Sequence, residues 1–305
     1  MNRFLKYQTK IALYFIIILY IFISSPPIFA SDPSFTISPV TLEFTLKPGT
    51  IHKINFEITN TSADRLSLNI VPSFFKPVDE FGNIEFNKND KNLSNWLANN
   101  DYLPQVMILE KSEIKDFSPT ISIPQNVQSG DYYLAFTFES TAKDTTKTRF
   151  KINQKLAISC LIFLEIKDKP QPLKISLEEF SISPRIITAS PAIFTLRLKN
   201  EGRARIKIAG EINITDLIGR KIIDIPIPKQ TILSNSIRSL SGPQNKLAWQ
   251  TSSLGIYTVN FNLREITDSK SLISGKSYLI SFPFGYLVAF CLVLLIIIIV
   301  FLRKK

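Results

Sequence analysis

Apolar and polar residues alternate strictly from Val40 to Lys47, and this period of two constrains the fold more than any other feature of the chain. Val40, Leu42, Phe44 and Leu46 fall on one side and Thr41, Glu43, Thr45 and Lys47 on the other. Successive side chains of a strand point to opposite faces, so the pattern predicts a half-buried strand and excludes an amphipathic helix. Pro48-Gly49 then turns the chain into a second strand with Ile54, Phe56 and Ile58 inward. Asn60-Thr61-Ser62 turns it into a third, with Leu66, Leu68 and Ile70 inward. Strands at short, regular spacing joined by turn residues indicate an antiparallel sandwich.

The logic continues through Phe81-Gly82-Asn83-Ile84-Glu85-Phe86 and strands around Val106 to Leu109, Ile121 to Ile123, Tyr132 to Phe138 and Leu156 to Ile166. Asn87 to Asn92 reads as a solvated loop, because its acids lack the spacing and glycine of a calcium loop. Leu93 to Ala98 is the one soluble stretch expected to make a helical turn. Its Trp96 is expected to plug the open end of the sandwich, as aromatic side chains bury a large area where they can. Lys167-Asp168-Lys169-Pro170-Gln171-Pro172 breaks the pattern, and the domain boundary is placed there. A second set of strands follows at Ile193 to Leu198, Ile206 to Leu217, Ile222 to Ile227 and Ile256 to Leu263. Pro226 and Pro228 mark the third of these as an edge or a strand end, since proline removes a ladder donor.

The two ends differ from the middle. From Phe282 to Leu302 there are 21 consecutive residues without a charge, followed by Arg303-Lys304-Lys305. About 20 apolar residues cover the roughly 30 Å hydrocarbon core of a bilayer, and a basic flank prefers the cytoplasmic side. A single C-terminal transmembrane helix is therefore expected, with everything before it outside the cytoplasm. Residues 1–30 read as a secretory signal peptide: a basic start, an apolar stretch from Ile11 to Ile23 and a small residue at Ala30. The expected order is signal peptide 1–30, first immunoglobulin-like β-sandwich 31–168, second sandwich 173–266, juxtamembrane linker 267–281, transmembrane helix 282–302 and cytoplasmic tail 303–305. The net charge is +11. Six of those charges sit at the two ends, leaving 11 − 6 = +5 on the exported part, with no Arg-rich aromatic platform for nucleic acid.

The chemical inventory is thin. His52 is the only histidine, on the polar side of a strand. No metal-spaced Cys/His set, nucleophile elbow or phosphate loop occurs. Asp79-Glu80 and Glu178-Glu179 are sequence neighbours whose side chains diverge in a strand. Cys160 lies in an apolar strand and Cys291 in the apolar C-terminal run, so no disulfide is expected; Cys160 reads as a buried small hydrophobe. Three Asn-x-Ser/Thr sequons, at Asn60, Asn92 and Asn213, would matter only in a eukaryotic secretory pathway. The expectation is a protein that is not an enzyme, with no catalytic or metal-binding residue, no cofactor and no assignable ligand-binding residue.

The stretches FTLKPGTIHKINFEITNTS, FGNIEF, ISIPQNVQSGDYYLAFTF and AISCLIFLEI resemble the first domain of the WxL-interacting cell-surface proteins of Gram-positive bacteria. FTLRLKNEGRARIKIAGEINITD and GRKI are similar to their second domain. The resemblance implies an immunoglobulin-like first domain that binds peptidoglycan and a second that engages a surface protein. It carries no binding residue over. The leading expectation is thus a membrane-anchored extracytoplasmic scaffold binding cell-wall polymer or another surface protein. One alternative is a chaperone-like assembly factor that works by strand pairing, which predicts an exposed apolar groove along an edge of the first domain. Another is a carbohydrate-binding module, which predicts an exposed Trp96 or Trp249 beside polar side chains.

Overall fold

The computed structural model describes residues 34–140, 156–167, 172–242, 246–266 and 271–303. The leader expected at 1–30, most of the interdomain linker and residues 304–305 of the tail lie outside the described residues.

The first domain is built from β1 (Phe35–Ser38), β2 (Thr41–Leu46), β3 (Ile51–Lys53), β4 (Phe56–Asn60), β5 (Leu66–Pro77) and β6 (Ile84–Asn87). After the short helix α1 (Leu93–Trp96) come β7 (Gln105–Leu109), β8 (Ile114–Phe117), β9 (Thr120–Ser122), β10 (Gly130–Ser140) and β11 (Ala157–Ile166). One sheet has the order β1-β4-β8. The facing sheet runs β2-β11-β10-β5-β6, with β7 also paired to β5. A peptide bond in the cis form precedes Pro39, where the chain leaves the first sheet for the second, and β2 then runs parallel to β11. This crossing of strands between two facing sheets is the immunoglobulin-like arrangement. Its core is aromatic: Phe56, Phe117, Phe136 and Phe138 pack with ring centroids 5.3 to 6.4 Å apart.

The second domain repeats the plan with β12 (Ile175–Ser183), β13 (Ile186–Ile187), β14 (Ala192–Asn200), β15 (Ile206–Asp216), β16 (Lys221–Ile232), β17 (Ser236–Ser239), β18 (Ala248–Trp249), β19 (Gly255–Glu265) and β20 (Ser271–Ser281). Again a cis peptide, before Pro184, marks the change of sheet, and β13 runs parallel to the last strand. The larger sheet has the order β13-β20-β19-β15-β16, which puts β16 with its two prolines at the edge.

The stretch 267–281, expected to be a juxtamembrane linker, is from Ser271 onward the last strand of the second sandwich, paired with β19 along its length. It escapes sequence reading because three of its inward positions, Gly275, Ser277 and Ser281, are small and only Ile273 and Leu279 on that face are large and apolar. Gly275 is small for a reason: a Cβ there would run into the ring of Phe261.

A second correction concerns 282–302. The run forms a helix, α2 (Phe284–Arg303), whose described apolar side chains are exposed. Yet among the described residues no helix is long and apolar enough to cross a membrane. The transmembrane helix, the single-pass location with a cytoplasmic C-terminus and the membrane as a partner therefore do not stand.

Each domain locks the end of one strand, β4 in the first and β14 in the second, with a buried asparagine. Asn60 Nδ2 donates to the carbonyls of Asp64 and Glu110 at 2.8 and 2.9 Å, and its Oδ1 accepts from Ser62 N at 2.9 Å. Asn200 Nδ2 donates to Ala204, Ile232 and Leu233 at 2.8, 3.2 and 3.1 Å, while Gly202 N donates to its Oδ1 at 2.9 Å. Both amides are buried and fully engaged, so the Asn60 sequon offers no free nitrogen. Replacing Asn200 by Ala would orphan a buried N–H and several carbonyls. Unfolding in urea should show a loss of about 1–3 kcal/mol, whereas an unchanged midpoint would mean that water replaces the amide without penalty.

Candidate functional site

The two sandwiches meet on the outer face of the larger sheet of the first. Strand pairing places Phe163 opposite Tyr133 and Phe75 opposite Phe86. The rings run across four strands, with centroids 5.7 Å apart for Tyr133–Phe163, 5.3 Å for Phe75–Tyr133 and 6.3 Å for Phe75–Phe86. An apolar outer face cannot be left in water, and the second domain covers it. Leu233 packs on this cluster, Ser234 N donates to Tyr133 Oη at 2.9 Å and the Arg205 guanidinium lies 5.4 Å over the Phe163 ring. Burial, with Asp131 nearby, pushes the Tyr133 hydroxyl up to about 12.

Beside the aromatic row lies an ionic one. Arg205 donates from its backbone N and from Nη1 to Asp131 Oδ2 at 2.9 and 2.8 Å, and from Nη2 to Glu43 Oε2 at 3.1 Å. Lys207 Nζ reaches the same Glu43 oxygen at 2.6 Å. The main chain joins in, with Asp131 N donating to Arg203 O at 2.7 Å. The Asp131 side chain is 0% exposed, and its Oδ1 is buried without a hydrogen-bond partner. Burial therefore pushes the Asp131 carboxyl above the usual range, with Arg205 pulling it only part of the way back. For Arg205 burial works against the charge, but its carboxylates outweigh that and raise its pKa.

On the other flank the turn between β5 and β6 reaches across to the second domain. Asp79 shapes it: Oδ1 accepts from Phe81 N and Asn83 N at 2.9 and 3.0 Å, and Oδ2 accepts from Asn83 Nδ2 at 2.5 Å. Glu80 makes the crossing. Its carbonyl accepts from Ser239 N at 2.8 Å, and its carboxylate takes Arg197 Nε and Nη2 at 2.7 and 2.5 Å. That two-pronged bond holds the Glu80 carboxyl below the usual range. Gly82, at φ +96°, lies against the Arg238 guanidinium, where a Cβ would overlap Nη1. Between the turn and the aromatic row opens a cleft of about 300 Å³. Its floor is Phe75, Leu161, Phe163, Ile84 and Leu233, and its wall carries Lys229 and Arg238.

The residues singled out from sequence lie elsewhere or serve the fold. His52 rests its ring 4.5 Å from that of Phe44 and meets no carboxylate or hydroxyl within hydrogen-bond range among the described residues. Trp96 and Trp249 are 6% and 8% exposed. Burial pushes the Cys160 thiol up to about 12. Asp79 and Glu80 act separately, and Glu179 bonds Arg197 Nη1 at 3.3 Å. Among the described residues no group of three or more His, Cys, Asp or Glu side chains could hold a metal ion. Sequence reading missed Asp131, Arg205 and Arg238 and noted Glu80 only as half of a carboxylate pair; the usable signal was the run Ala157 to Leu164, apolar on both faces, with Cys160 and Ile162 on one side and Leu161 and Phe163 on the other.

No family model matches the chain, and no curated protein matches it either. Among solved structures, a chaperone–tip adhesin complex of CFA/I fimbriae biogenesis is 13% identical, covering 82% of this chain and 100% of its own, with a TM-score of 0.43. The class 5 fimbriae chaperone CfaA is 14% identical, covering 80% and 98%, at 0.41. A chain of the Salmonella enterica complex of the SafA pilin with the SafB chaperone is 9% identical, covering 82% and 99%, at 0.37.

The ionic hub yields a pH test. In Arg205→Met the Asp131 carboxylate stays buried without its guanidinium, a change that typically removes about 3–5 kcal/mol. The carboxyl pKa in the folded variant then lies further above its unfolded value. The folded state holds the proton in that window, so stability falls as pH rises. The variant should be closer to wild type at pH 5 than at pH 7 in urea titrations. An equal deficit at both values would show that Asp131 does not carry the loss.

Proposed function

We propose that this chain is an assembly factor that acts outside the cytoplasm and holds an extended segment of a partner polypeptide by strand addition to the first sandwich. An open sheet edge offers N–H and C=O groups to an incoming strand, while alternate side chains of that strand meet whatever lies beside the edge. Proteins usually guard such edges with proline and charge. The edge strand β16 is guarded in this way, with Pro226, Pro228 and Lys229. By contrast β7, Gln105-Val106-Met107-Ile108-Leu109, has neither charge nor proline and, among the described residues, pairs only with β5.

That apolar edge carries the reading. Val106 and Ile108 are 70% and 40% exposed, and Ile114, on the neighbouring edge strand β8, is 59% exposed. The two edges are drawn together by Lys115, whose Nζ donates to Ile108 O at 2.7 Å, a bond that an incoming strand would have to displace to use that carbonyl. The result is the apolar rim along a first-domain edge that strand pairing requires. The fimbrial chaperones named above, at TM-scores below 0.5, lend this no weight. A carbohydrate platform is disfavoured, since both tryptophans are buried.

Replacing Val106 and Ile108 together by Lys should weaken binding of a fluorescent alternating Thr-Val peptide at least tenfold in an anisotropy titration with the full chain. Thermal stability should hardly move, because surface changes usually stay within about 0.5 kcal/mol. Undiminished binding by the double variant, or no binding by the wild type, would sink the reading.

A further inference from the structure

We propose that the open end of the first sandwich binds an alkylammonium group, a positively charged nitrogen on an apolar stem, between the rings of Phe74, Trp96 and Tyr132 and the carboxylate of Asp90. The site uses no residue of β7 or β8 and stands independently of strand addition.

A cleft of about 510 Å³ opens there. Three rings line it, with centroids 6.0 Å apart for Phe74–Trp96 and 4.5 Å for Trp96–Tyr132. Phe74 and Tyr132 are half-buried, while Trp96 is largely buried and braces them. Trp96 is set in place by the single turn of α1, where Leu97 N donates to Leu93 O at 3.0 Å and Leu93 itself is buried in the core. The face of an aromatic ring carries partial negative charge and attracts a cation, more strongly where water is excluded. The wall of this cleft is therefore electron-rich as well as apolar.

The charge on the rim points to the same ligand. Asp90 is the one charged side chain lining the cleft, and it has no ion pair among the described residues. Neighbouring Lys88 is spent on Glu139 at 2.6 Å, and exposed Lys91 lines no part of the cleft. Asp90 Oδ1 accepts from Asn92 N at 2.9 Å and Oδ2 from Asn87 Nδ2 at 3.1 Å. A carboxylate offers about four lone-pair sites, so each oxygen keeps one for a further donor. Asn92 and Asn95 add amide oxygens beside it. An incoming anion would be repelled by Asp90, and a neutral apolar group would leave its charge uncompensated. An ammonium on an apolar stem satisfies the rings and the carboxylate together. On a chain of net charge +11, a cleft with an acid and no base is a local reversal of sign that selects for cations.

The test reads fluorescence from the full chain carrying Trp249→Phe, which leaves Trp96 as its only tryptophan. Two pairs of probes differ within each pair by one charge: choline against 3,3-dimethylbutan-1-ol, and N-acetyl-lysine amide against N-acetyl-norleucine amide. In at least one pair the cation should bind at least fivefold more tightly than its neutral mate, and the pair that discriminates tells a small quaternary amine from a lysine side chain. Asp90→Asn keeps an oxygen for Asn92 N, so it should erase that preference without moving the melting temperature. Calorimetric titration of the unmodified chain should give the same ranking, so a folding defect in Trp249→Phe cannot decide the outcome. Equal binding within both pairs, a preference that survives Asp90→Asn, or no saturable response to any probe overturns the site.

Discussion

Three strands of the first sandwich are apolar on both faces, and the rest of the molecule follows from that. Along β10, Leu134, Phe136 and Phe138 point into the first core, while Tyr133 and Ala135 point the other way. Phe75 on β5 and Phe163 on β11 share that outer face. A sheet with two apolar faces needs a cover on each. The facing sheet of the same domain supplies one, and the second domain supplies the other.

Energy and geometry are divided between the two rows at this junction. Burying a large apolar side chain contributes about 1.5–3 kcal/mol, so the aromatic row holds the domains together. Ionic groups at the same junction contribute far less: partly exposed pairs such as Lys207–Glu43 are worth about 0–1 kcal/mol, and the desolvation of a fully buried Asp131 offsets much of its attraction to Arg205. Their contribution is direction. Aromatic surfaces tolerate sliding, whereas Arg205 fixed by Asp131 on one side and Glu43 on the other, and Arg197 gripped by both prongs of Glu80, admit one arrangement.

The strands were legible in the sequence wherever inward positions were large and outward ones polar, as from Val40 to Lys47. They were not legible where most inward positions were Gly and Ser, as in β20, because the space at Gly275 is filled from the opposite strand by Phe261. Helix formation in the C-terminal run was readable from composition alone; what that helix lies against was not. The junction was the hardest part. Asp131 and Arg205 are 74 positions apart and Glu80 and Arg197 117 apart, and nothing local distinguishes these residues from other surface charges. The FGNIEF motif shows the same limit: its turn residues announce a hairpin, but not that the turn reaches another domain.

The turn from Asp79 to Asn83 also bears on how the chain tolerates change. Its backbone, its glutamate and its glycine each face a different residue of the second sandwich, so the loop behaves as part of that domain although it is encoded in the first. Cutting the gene at the proline-rich linker would separate neighbours in sequence while leaving one half with a finger shaped for the other. Chimeras that exchange one sandwich would have to exchange this loop with it.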